Sequence, residues 1–262
     1  MTYSERALHE RVARRESHEA QTRGIVGLFY RTYVRATREF LTQHPGAMVL
    51  DVGCGEGILL RGSGFAPIQL DISVKRLRRA RAGCKFLICA DGMELPFADA
   101  SFDVVLLVAL LEHVSRPERV MEEAWRVLKP GGEVAIVVPN DVWMSLGRLL
   151  LLRWPLRYPD NLSWVSPRRI RRMAEGRFTV QTAFALPIRW LPFALNMYYW
   201  TVLRKLQKGR AELPWRAGSL VSRYRGIFLT GSKNPQRTES SKKLPGSRGI
   251  LAVLGNIFCW KG

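Results

Sequence analysis

The chain has 262 residues, of which 47% are hydrophobic and 24% charged, so it is long enough for one sizeable globular domain and too apolar to be disordered throughout. Its four cysteines form no CxxC pair and have no neighbouring histidine cluster, which argues against a structural zinc site or a disulfide framework and favours a reducing cytoplasm. Residues 1–150 carry 20 Lys and Arg against 18 Asp and Glu, whereas residues 151–262 carry 21 against 4. The second half therefore predicts an anionic partner, either a membrane surface or nucleic acid.

In chain order, apolar runs of strand length alternate with helical patterns. A polar N-terminal segment, residues 1–46, is assigned to helix and lacks the apolar run of a secretory signal. The predicted strands are 47–53, 67–73, 85–91, 102–108, 133–139, 178–186 and 226–233, and the predicted helices between them are 73–82, 116–128 and 166–176. Continuously apolar strands alternating with helices predict a doubly wound, mostly parallel, seven-stranded sheet of the Rossmann-like kind.

The first predicted strand runs into three closely spaced glycines. In "VLDVGCGEG" (49–57), Asp51 is followed by Gly53, Gly55 and Gly57. Glycine permits the positive φ of a tight turn and leaves backbone that a ligand can approach. The spacing is G-x-G-x-G, which differs from the G-x-G-x-x-G of dinucleotide enzymes. The stretch alone is compatible with either a ligand site or a tight connection.

The next two predicted strands also end in acids. Asp71 ends "QLD" and Asp91 follows "FLICA". Each acid taken singly is compatible with a solvated loop or a helix cap. Because the carboxyl ends of parallel strands share one edge of the sheet, the three acids, Asp51, Asp71 and Asp91, predict a common site that could bind the ribose and base of a nucleoside.

These residues resemble one known family, the class I S-adenosylmethionine-dependent methyltransferases in their type 11 branch. The resemblance lies in "VLDVGCGEG" (49–57), "LDIS" (70–73), "ADGMELPFADASFDVV" (90–105) and "LEHVSRPERVMEEAWRVLKPGGEVAI" (111–136), in the family's order. It covers residues 47–140 almost continuously. The segment between Gly57 and Asp71 is shorter than is usual in the family, so the first helix after the glycines is expected to be stunted.

The resemblance implies a cofactor, S-adenosylmethionine, and a set of residues that hold it. The methionine end would be cradled by Asp51 and the glycine turn, the ribose hydroxyls would bind Asp71, the adenine would lie by Asp91, and residues 107–109 would line the floor near the sulfonium. The implied cofactor-binding residues are Asp51, Gly53, Cys54, Gly55, Gly57, Asp71, Ile72, Asp91, Gly92, Met93 and Val108. His113 is the candidate catalytic base, although it could equally serve only to order the turn after the fourth strand, and no metal site is expected.

Residues 141–233 are expected to complete the same domain as a helical substrate lid with the last strands, and residues 234–262 to form a disordered basic tail. The stretch 191–203 has helical spacing with aromatic residues beside basic ones, which predicts either a helix packed on the sheet or a membrane contact through residues 186–210. We therefore expect a cytoplasmic methyltransferase, peripheral on the membrane if that contact forms, that acts on an O, N or C atom of a small, lipid-like or aromatic molecule. A nucleic-acid methyltransferase and a non-catalytic scaffold of the same fold are the alternatives. The oligomeric state is not predicted.

Overall fold

The computed structural model describes residues 3–15, 24–81, 83–150, 160–189 and 191–207. The strands are β1 (Val49–Val52), β2 (Ile68–Asp71), β3 (Phe86–Cys89), β4 (Phe102–Val108), β5 (Leu128–Pro139), β6 (Phe178–Leu186) and β7 (Tyr198–Lys205). The helices are α1 (Tyr3–Arg15), α2 (Gly24–Thr42), α3 (Val74–Ala80), α4 (Pro117–Val127), α5 (Asp141–Leu150) and α6 (Pro167–Ala174), with short 3-10 turns at Leu111–His113 and Phe193–Leu195.

The seven strands form one sheet in the order β3-β2-β1-β4-β5-β7-β6. The first five are parallel, and β7 runs antiparallel between β5 and β6. In the register, Asp51 lies opposite Gln69 of β2, and Asp71 lies opposite Cys89 of β3. The predicted doubly wound, mostly parallel, seven-stranded fold is therefore confirmed, and the acids that end β1 and β2 share one edge.

Burial on both faces explains why the apolar residues of the central strands are continuous in the sequence rather than alternating with polar ones. All four residues of β1 and of β2 are buried, as are the last five of β4. Helices therefore cover both faces of this part of the sheet. The helix α4 ends at Val127, within one residue of the predicted end at 128, and Ser166 caps α6 by accepting the Arg169 backbone N–H at 3.3 Å.

The predicted helix over residues 191–203 is wrong, because residues 198–205 form the strand β7. Its side chains are aromatic and β-branched, which favours a strand, and its backbone pairs with β5 on one side and β6 on the other. Trp200 and Tyr198 are buried in the core, so they cannot be the membrane contact expected within residues 186–210. Only the 3-10 turn at Phe193–Leu195 is helical in this stretch. The helices that the structure describes between residues 141 and 189 are α5 and α6.

The stunted helix that was expected after the glycine turn is replaced by turns. Residues 53–64 form a series of turns in place of the first helix. The predicted strand at 226–233 and the tail at 234–262 lie outside the described residues. In the part of the chain that the structure describes, none of the helices combines the length and the apolar character that crossing a membrane requires.

Candidate functional site

A pocket opens at the carboxyl edge of the parallel strands, where β1, β2, β3 and β4 end. The residues that line it are His9, Val52, Gly53, Leu70, Asp71, Ile72, Arg76, Ala90, Asp91, Gly92, Ala109, Leu110, His113 and Val114. Of the predicted cofactor residues, it brings together Gly53, Asp71, Ile72, Asp91 and Gly92, with the predicted base His113 beside them. The other predicted residues, Asp51, Cys54, Gly55, Gly57, Met93 and Val108, are not part of this lining.

The glycine turn is held against β2, and two of its glycines have different roles. The Gly53 backbone N–H donates to the Leu70 carbonyl at 2.7 Å, and Gly53 has φ +75. A Cβ on Gly53 would come within 2.6 Å of the Leu110 side chain, so glycine is required both by the backbone conformation and by the pocket wall. Gly57, also with positive φ, packs against the Cys84 side chain, so its role is tight packing behind the pocket.

Asp71 joins the end of β2 to the glycine turn. Its Oδ2 accepts the Gly55 backbone N–H at 2.8 Å, and its Oδ1 accepts the Ser73 N–H at 2.8 Å. A carboxylate oxygen has two lone pairs, so each oxygen retains the capacity to accept one further hydrogen bond. Asp71 is therefore a fixed acceptor that can take a pair of hydroxyl groups from a ligand in the pocket.

Asp91 and Gly92 form the wall contributed by the end of β3. Asp91 Oδ1 accepts the Met93 backbone N–H at 2.8 Å, which turns the chain immediately after the strand. A Cβ on Gly92 would lie 3.1 Å from Val52 Cγ1, tighter than ordinary van der Waals contact. The close approach of this backbone to β1 makes the pocket a narrow slot, which suits a flat base.

Asp51 is buried behind the pocket rather than lining it. Gln69 Nε2 donates to Asp51 Oδ2 at 3.1 Å. Burial, together with the nearby charge of Asp71, raises the pKa of Asp51 to about 7. Cys54, next in the turn, is also buried, and burial raises the pKa of its thiol well above the usual value. Neither residue lines the pocket, so their contribution is to hold the turn.

The end of β4 contributes strained backbone to the pocket. Ala109 has φ +51, a conformation that costs energy for a residue with a side chain. Its N–H donates to the Val137 carbonyl at 2.9 Å, which holds the conformation in place. Strained backbone conformations of this kind are common at ligand sites. Here the turn at Ala109 places Leu110 in the pocket lining, while Val108 remains in the sheet.

His113 lies where the 3-10 turn after β4 meets the loop around Asp160. Its Nδ1 is 3.1 Å from the Asp160 carbonyl oxygen, an acceptor, so Nδ1 carries the proton and Nε2 keeps its lone pair. Burial lowers the pKa of His113, against a raising effect from Asp160. The ring is therefore neutral near pH 7, and its Nε2 is able to accept a proton.

Glu112, the neighbour of His113, was not among the predicted site residues. It is 3% exposed, and its Oε2 has no hydrogen-bond partner among the described residues, while Oε1 lies 4.0 Å from His113 Nε2. Burial, with smaller contributions from the nearby Asp141 and Asp160, raises the pKa of Glu112 to about 8. A buried carboxyl without a partner marks a place prepared for a ligand or for proton movement.

The N-terminal helix also reaches the pocket. His9 of α1 is buried, lines the pocket, and has Nε2 3.0 Å from the His113 carbonyl oxygen. Arg76 of α3 lines it as well and lies 3.8 Å from an Asp160 oxygen. Neither residue was predicted. For His9 the reason is that the α1 sequence is polar and carries no pattern that specifies which element it covers. Arg76, three residues after the capping Ser73, could have been suspected from its position at the start of α3.

An aromatic wall flanks the other side of Glu112. It consists of Tyr30 and Tyr33 from α2 and Tyr198 from β7, with ring centroids 4.9 Å apart for the first pair and 4.8 Å for the second. Burial raises the pKa of Tyr30 to about 12, with Asp51 contributing in the same direction. The wall therefore extends from the region of Asp51 to that of Glu112, and the phenols of Tyr30 and Tyr33 stay neutral. Among the described residues no group of three potential metal ligands occurs.

Comparison with known proteins agrees with this geometry. Residues 50–136 match the family model described as a methyltransferase domain. The chain is 32% identical over 130 residues to the ubiquinone/menaquinone biosynthesis C-methyltransferase UbiE of a Ruegeria species, covering 43% of this chain and 52% of that protein. It is 37% identical over 107 residues to a mouse protein named as tRNA methyltransferase 9B, covering 38% of this chain and 24% of that protein. The chain thus spans about half of the first relative and a quarter of the second.

Among solved structures, the fold is similar to that of an S-adenosylmethionine-dependent methyltransferase of Thermotoga maritima. The TM-score is 0.58 at 20% identity, and the match covers 78% of this chain and 98% of that one. The matched region, residues 50–136, contains every predicted cofactor residue and His113. The comparisons thus identify a methyltransferase domain at residues 50–136 within a fold of the Rossmann-like methyltransferase kind.

Proposed function

We propose that this protein is an S-adenosylmethionine-dependent methyltransferase that acts on an O, N or C atom of a small, lipid-like or aromatic molecule. The observation that carries the proposal is the convergence of Gly53, Asp71, Asp91 and Gly92 on one narrow pocket at the carboxyl edge of the sheet. Open sheets of this kind bind nucleoside ligands at that edge. The family match covers every residue that lines the pocket except His9.

The lining fits the cofactor that the family uses. Asp71 offers two oriented carboxylate oxygens to the ribose hydroxyls, the slot beside Gly92 and Ile72 accepts the adenine, and the bare backbone of Gly53 faces the methionine end. When bound, the cofactor supplies an activated methyl group on a positively charged sulfur. The protein then has to orient the acceptor and exclude water, which the buried surroundings of Glu112 and Tyr33 favour.

His113 is the residue we propose as proton acceptor for a hydroxyl or carbon-acid substrate. Its Nδ1–H is held by the Asp160 carbonyl, which leaves the Nε2 lone pair available. As the methyl group transfers, the acceptor's proton passes to Nε2, which lies 4.0 Å from Glu112 Oε1. An amine acceptor would need this step less, because its lone pair attacks before the proton leaves.

The aromatic wall of Tyr30, Tyr33 and Tyr198 favours an apolar or aromatic acceptor. Tyr33 and Tyr198 are buried in a hydrophobic cluster against which partly buried Tyr30, Phe184 and Met144 pack, and these partly exposed members offer contacts to rings and alkyl chains. The relative from Ruegeria is named for quinone biosynthesis, and quinone precursors carry both features. We therefore propose a hydroxylated ring with an apolar substituent as the acceptor class.

A transfer RNA is the second candidate acceptor. The named tRNA methyltransferase among the relatives and the excess of 21 basic over 4 acidic residues in 151–262 favour it. The two candidates make different predictions about what becomes labelled.

The test is incubation of the purified full-length chain with radiolabelled S-adenosylmethionine and, separately, a total lipid extract and total tRNA. We expect label in the organic phase after extraction and little in the RNA. Label in tRNA that resists phenol extraction and is removed by nuclease would replace the lipid-like acceptor with RNA. Label in neither, together with no binding of S-adenosylhomocysteine, would overturn the proposed activity.

A further inference from the structure

Six large aliphatic side chains are exposed on two neighbouring segments beside the carboxyl edge. They are Val142, Leu146, Leu149 and Leu150 of α5, with Ile188 and Leu195 of the β6–β7 connection, exposed by 58%, 38%, 52%, 74%, 41% and 57%. We call this set the apolar rim. Single exposed leucines are ordinary on a protein surface, but a group of this size marks an interaction site.

The α5 members of the apolar rim fall on one side of the helix. Positions 142, 146, 149 and 150 follow the spacing i, i+4, i+7, i+8, which defines a stripe along an α-helix. Asp141 at the start of the helix is buried and Trp143 is partly buried, so the opposite side is already packed on the protein. The stripe is therefore an outward face.

Hydrogen bonds tie the two segments of the apolar rim together. Trp143 Nε1 donates to the Ala194 carbonyl at 2.7 Å, and Asn140 Nδ2 donates to the Phe193 carbonyl at 2.9 Å. These bonds place the start of α5 against the 3-10 turn that carries Leu195. The exposed side chains of the two segments consequently belong to one region of the surface.

The β6–β7 connection is built to hold its apolar side chains outward. Asn196 is 2% exposed, accepts the Ile188 N–H at 2.9 Å, and donates to the Ile188 and Leu191 carbonyls at 2.9 and 3.0 Å. Because the backbone is satisfied internally, the connection is fixed, and Ile188 and Leu195 cannot turn inward without breaking these bonds. Their exposure is a consequence of a specific backbone conformation.

Positive charge accompanies the apolar rim. Arg189 follows Ile188 and is exposed, and α6 exposes Arg168, Arg171 and Arg172. Residues 151–262 as a whole carry 21 Lys and Arg against 4 Asp and Glu. Apolar side chains that enter the acyl region, with basic side chains that meet phosphate, are the two features of a protein surface that binds an anionic bilayer.

We infer that the apolar rim is a docking surface for a bilayer containing anionic lipid. Aliphatic side chains favour this partner over nucleic acid, whose recognition uses basic groups with aromatic stacking. The surface lies at the same edge of the sheet as the pocket, so docking would place the proposed acceptor side next to the membrane. The inference itself does not rest on the methyl-transfer activity, because binding to vesicles is measured without cofactor.

The test is co-sedimentation of the full-length chain with phosphatidylcholine vesicles that contain or lack phosphatidylglycerol. We expect binding that requires phosphatidylglycerol and weakens with salt. The triple variant Leu146→Gln, Leu149→Gln, Leu195→Gln should lower the partition coefficient at least about tenfold, since three apolar side chains no longer enter the bilayer. The control is Trp125→Gln, an exposed apolar side chain on α4 whose carbonyl contacts Lys205 at the far end of β7, and it should bind as the wild type does.

Four outcomes overturn the inference. They are no binding of the wild type to either vesicle, equal binding of the triple variant and the wild type, equal loss of binding in the Trp125→Gln control, and a concentration-dependent dimer in solution that the triple variant abolishes while vesicle binding is absent. A second measurement needs no variant: hydrogen exchange of the wild-type chain should slow on vesicle addition at residues 142–150 and 188–197, and unchanged exchange there would contradict docking.

Discussion

The Asp71 carboxylate accepts the Gly55 backbone N–H at 2.8 Å, so the end of β2 holds the turn that follows β1. The same carboxylate accepts the Ser73 N–H at 2.8 Å and lines the pocket. One side chain therefore organises the glycine turn and offers oriented acceptors to a ligand. Positioning of the acceptor before the ligand arrives reduces the entropy cost of binding.

Asp71→Asn should weaken cofactor binding. The amide keeps one acceptor oxygen but replaces the other with a donor, which cannot accept from either a backbone N–H or a ribose hydroxyl. Loss of hydrogen bonds to a charged acceptor is worth about 1.5–3 kcal/mol, so the Kd for S-adenosylhomocysteine should rise about tenfold or more in calorimetry. Asp99→Asn, at a carboxylate whose side chain is 78% exposed, is the control and should leave the Kd unchanged. A Kd for Asp71→Asn within twofold of wild type would remove Asp71 from the cofactor site.

Gly53→Ala should destabilise the protein through a clash in addition to backbone strain. Gly53 and Gly46 share φ +75, but the added Cβ would meet Leu110 at 2.6 Å at the first position and nothing within 4 Å at the second. Gly46→Ala therefore measures strain alone, about 1–2 kcal/mol. We expect Gly53→Ala to cost about 1–3 kcal/mol more than Gly46→Ala in urea denaturation, as overpacking does, and also to weaken cofactor binding. Equal losses for the two variants would show that Leu110 moves aside freely.

His113→Gln should slow turnover without affecting cofactor affinity much. The glutamine amide can still donate to the Asp160 carbonyl, but it has no basic nitrogen to replace Nε2. For a hydroxyl or carbon-acid acceptor, loss of the base should lower kcat by about 10²–10⁴ with the Kd for S-adenosylhomocysteine within about threefold of wild type. Unchanged kcat would assign His113 to ordering the turn after β4.

Glu112 should make the folded state less stable as the pH rises. Its pKa is about 8 in the folded protein against 4.5 for an ordinary glutamate. Below the lower value the carboxyl is neutral in both states, and between the two values only the unfolded chain ionises, so stability falls and the full loss is reached above pH about 8. Asp51, with a pKa raised to about 7, acts in the same direction.

Glu112→Gln removes the Glu112 part of this pH dependence. The free energy of unfolding of the variant minus that of the wild type should therefore increase by a few kcal/mol from pH about 5 to pH about 8.5, as measured by urea denaturation. Glu118→Gln, at a glutamate whose side chain is half exposed, should track the wild type at both values. A constant difference between Glu112→Gln and wild type across this range would mean that Glu112 ionises normally.

The sequence predicts the parallel half of the fold because its physical signals are local. Continuous apolar character marks β1, β2 and β4, and acids at the strand ends mark one edge of the sheet. The strand β7 differs from the predicted helix because its faces are largely buried, so no polar alternation appears in Tyr198–Lys205, whereas its aromatic and β-branched residues favour a strand.

The missing parts of the site come from contacts that are distant in the sequence. His9 enters the pocket through packing of the polar helix α1, and the Asp160 carbonyl sets the tautomer of His113 across 47 positions. The isolation of Glu112 Oε2 likewise depends on elements that only the folded chain brings together. Such relationships carry no periodic signal in the sequence.

The most direct measurement of the central claim is calorimetric titration of the purified full-length chain with S-adenosylhomocysteine, repeated with NAD. The account predicts saturable one-to-one binding of S-adenosylhomocysteine that Asp71→Asn weakens, and no binding of NAD. Absence of heat with S-adenosylhomocysteine, or equal affinity for it in the wild type and Asp71→Asn, would contradict a nucleoside site at the carboxyl edge of this sheet.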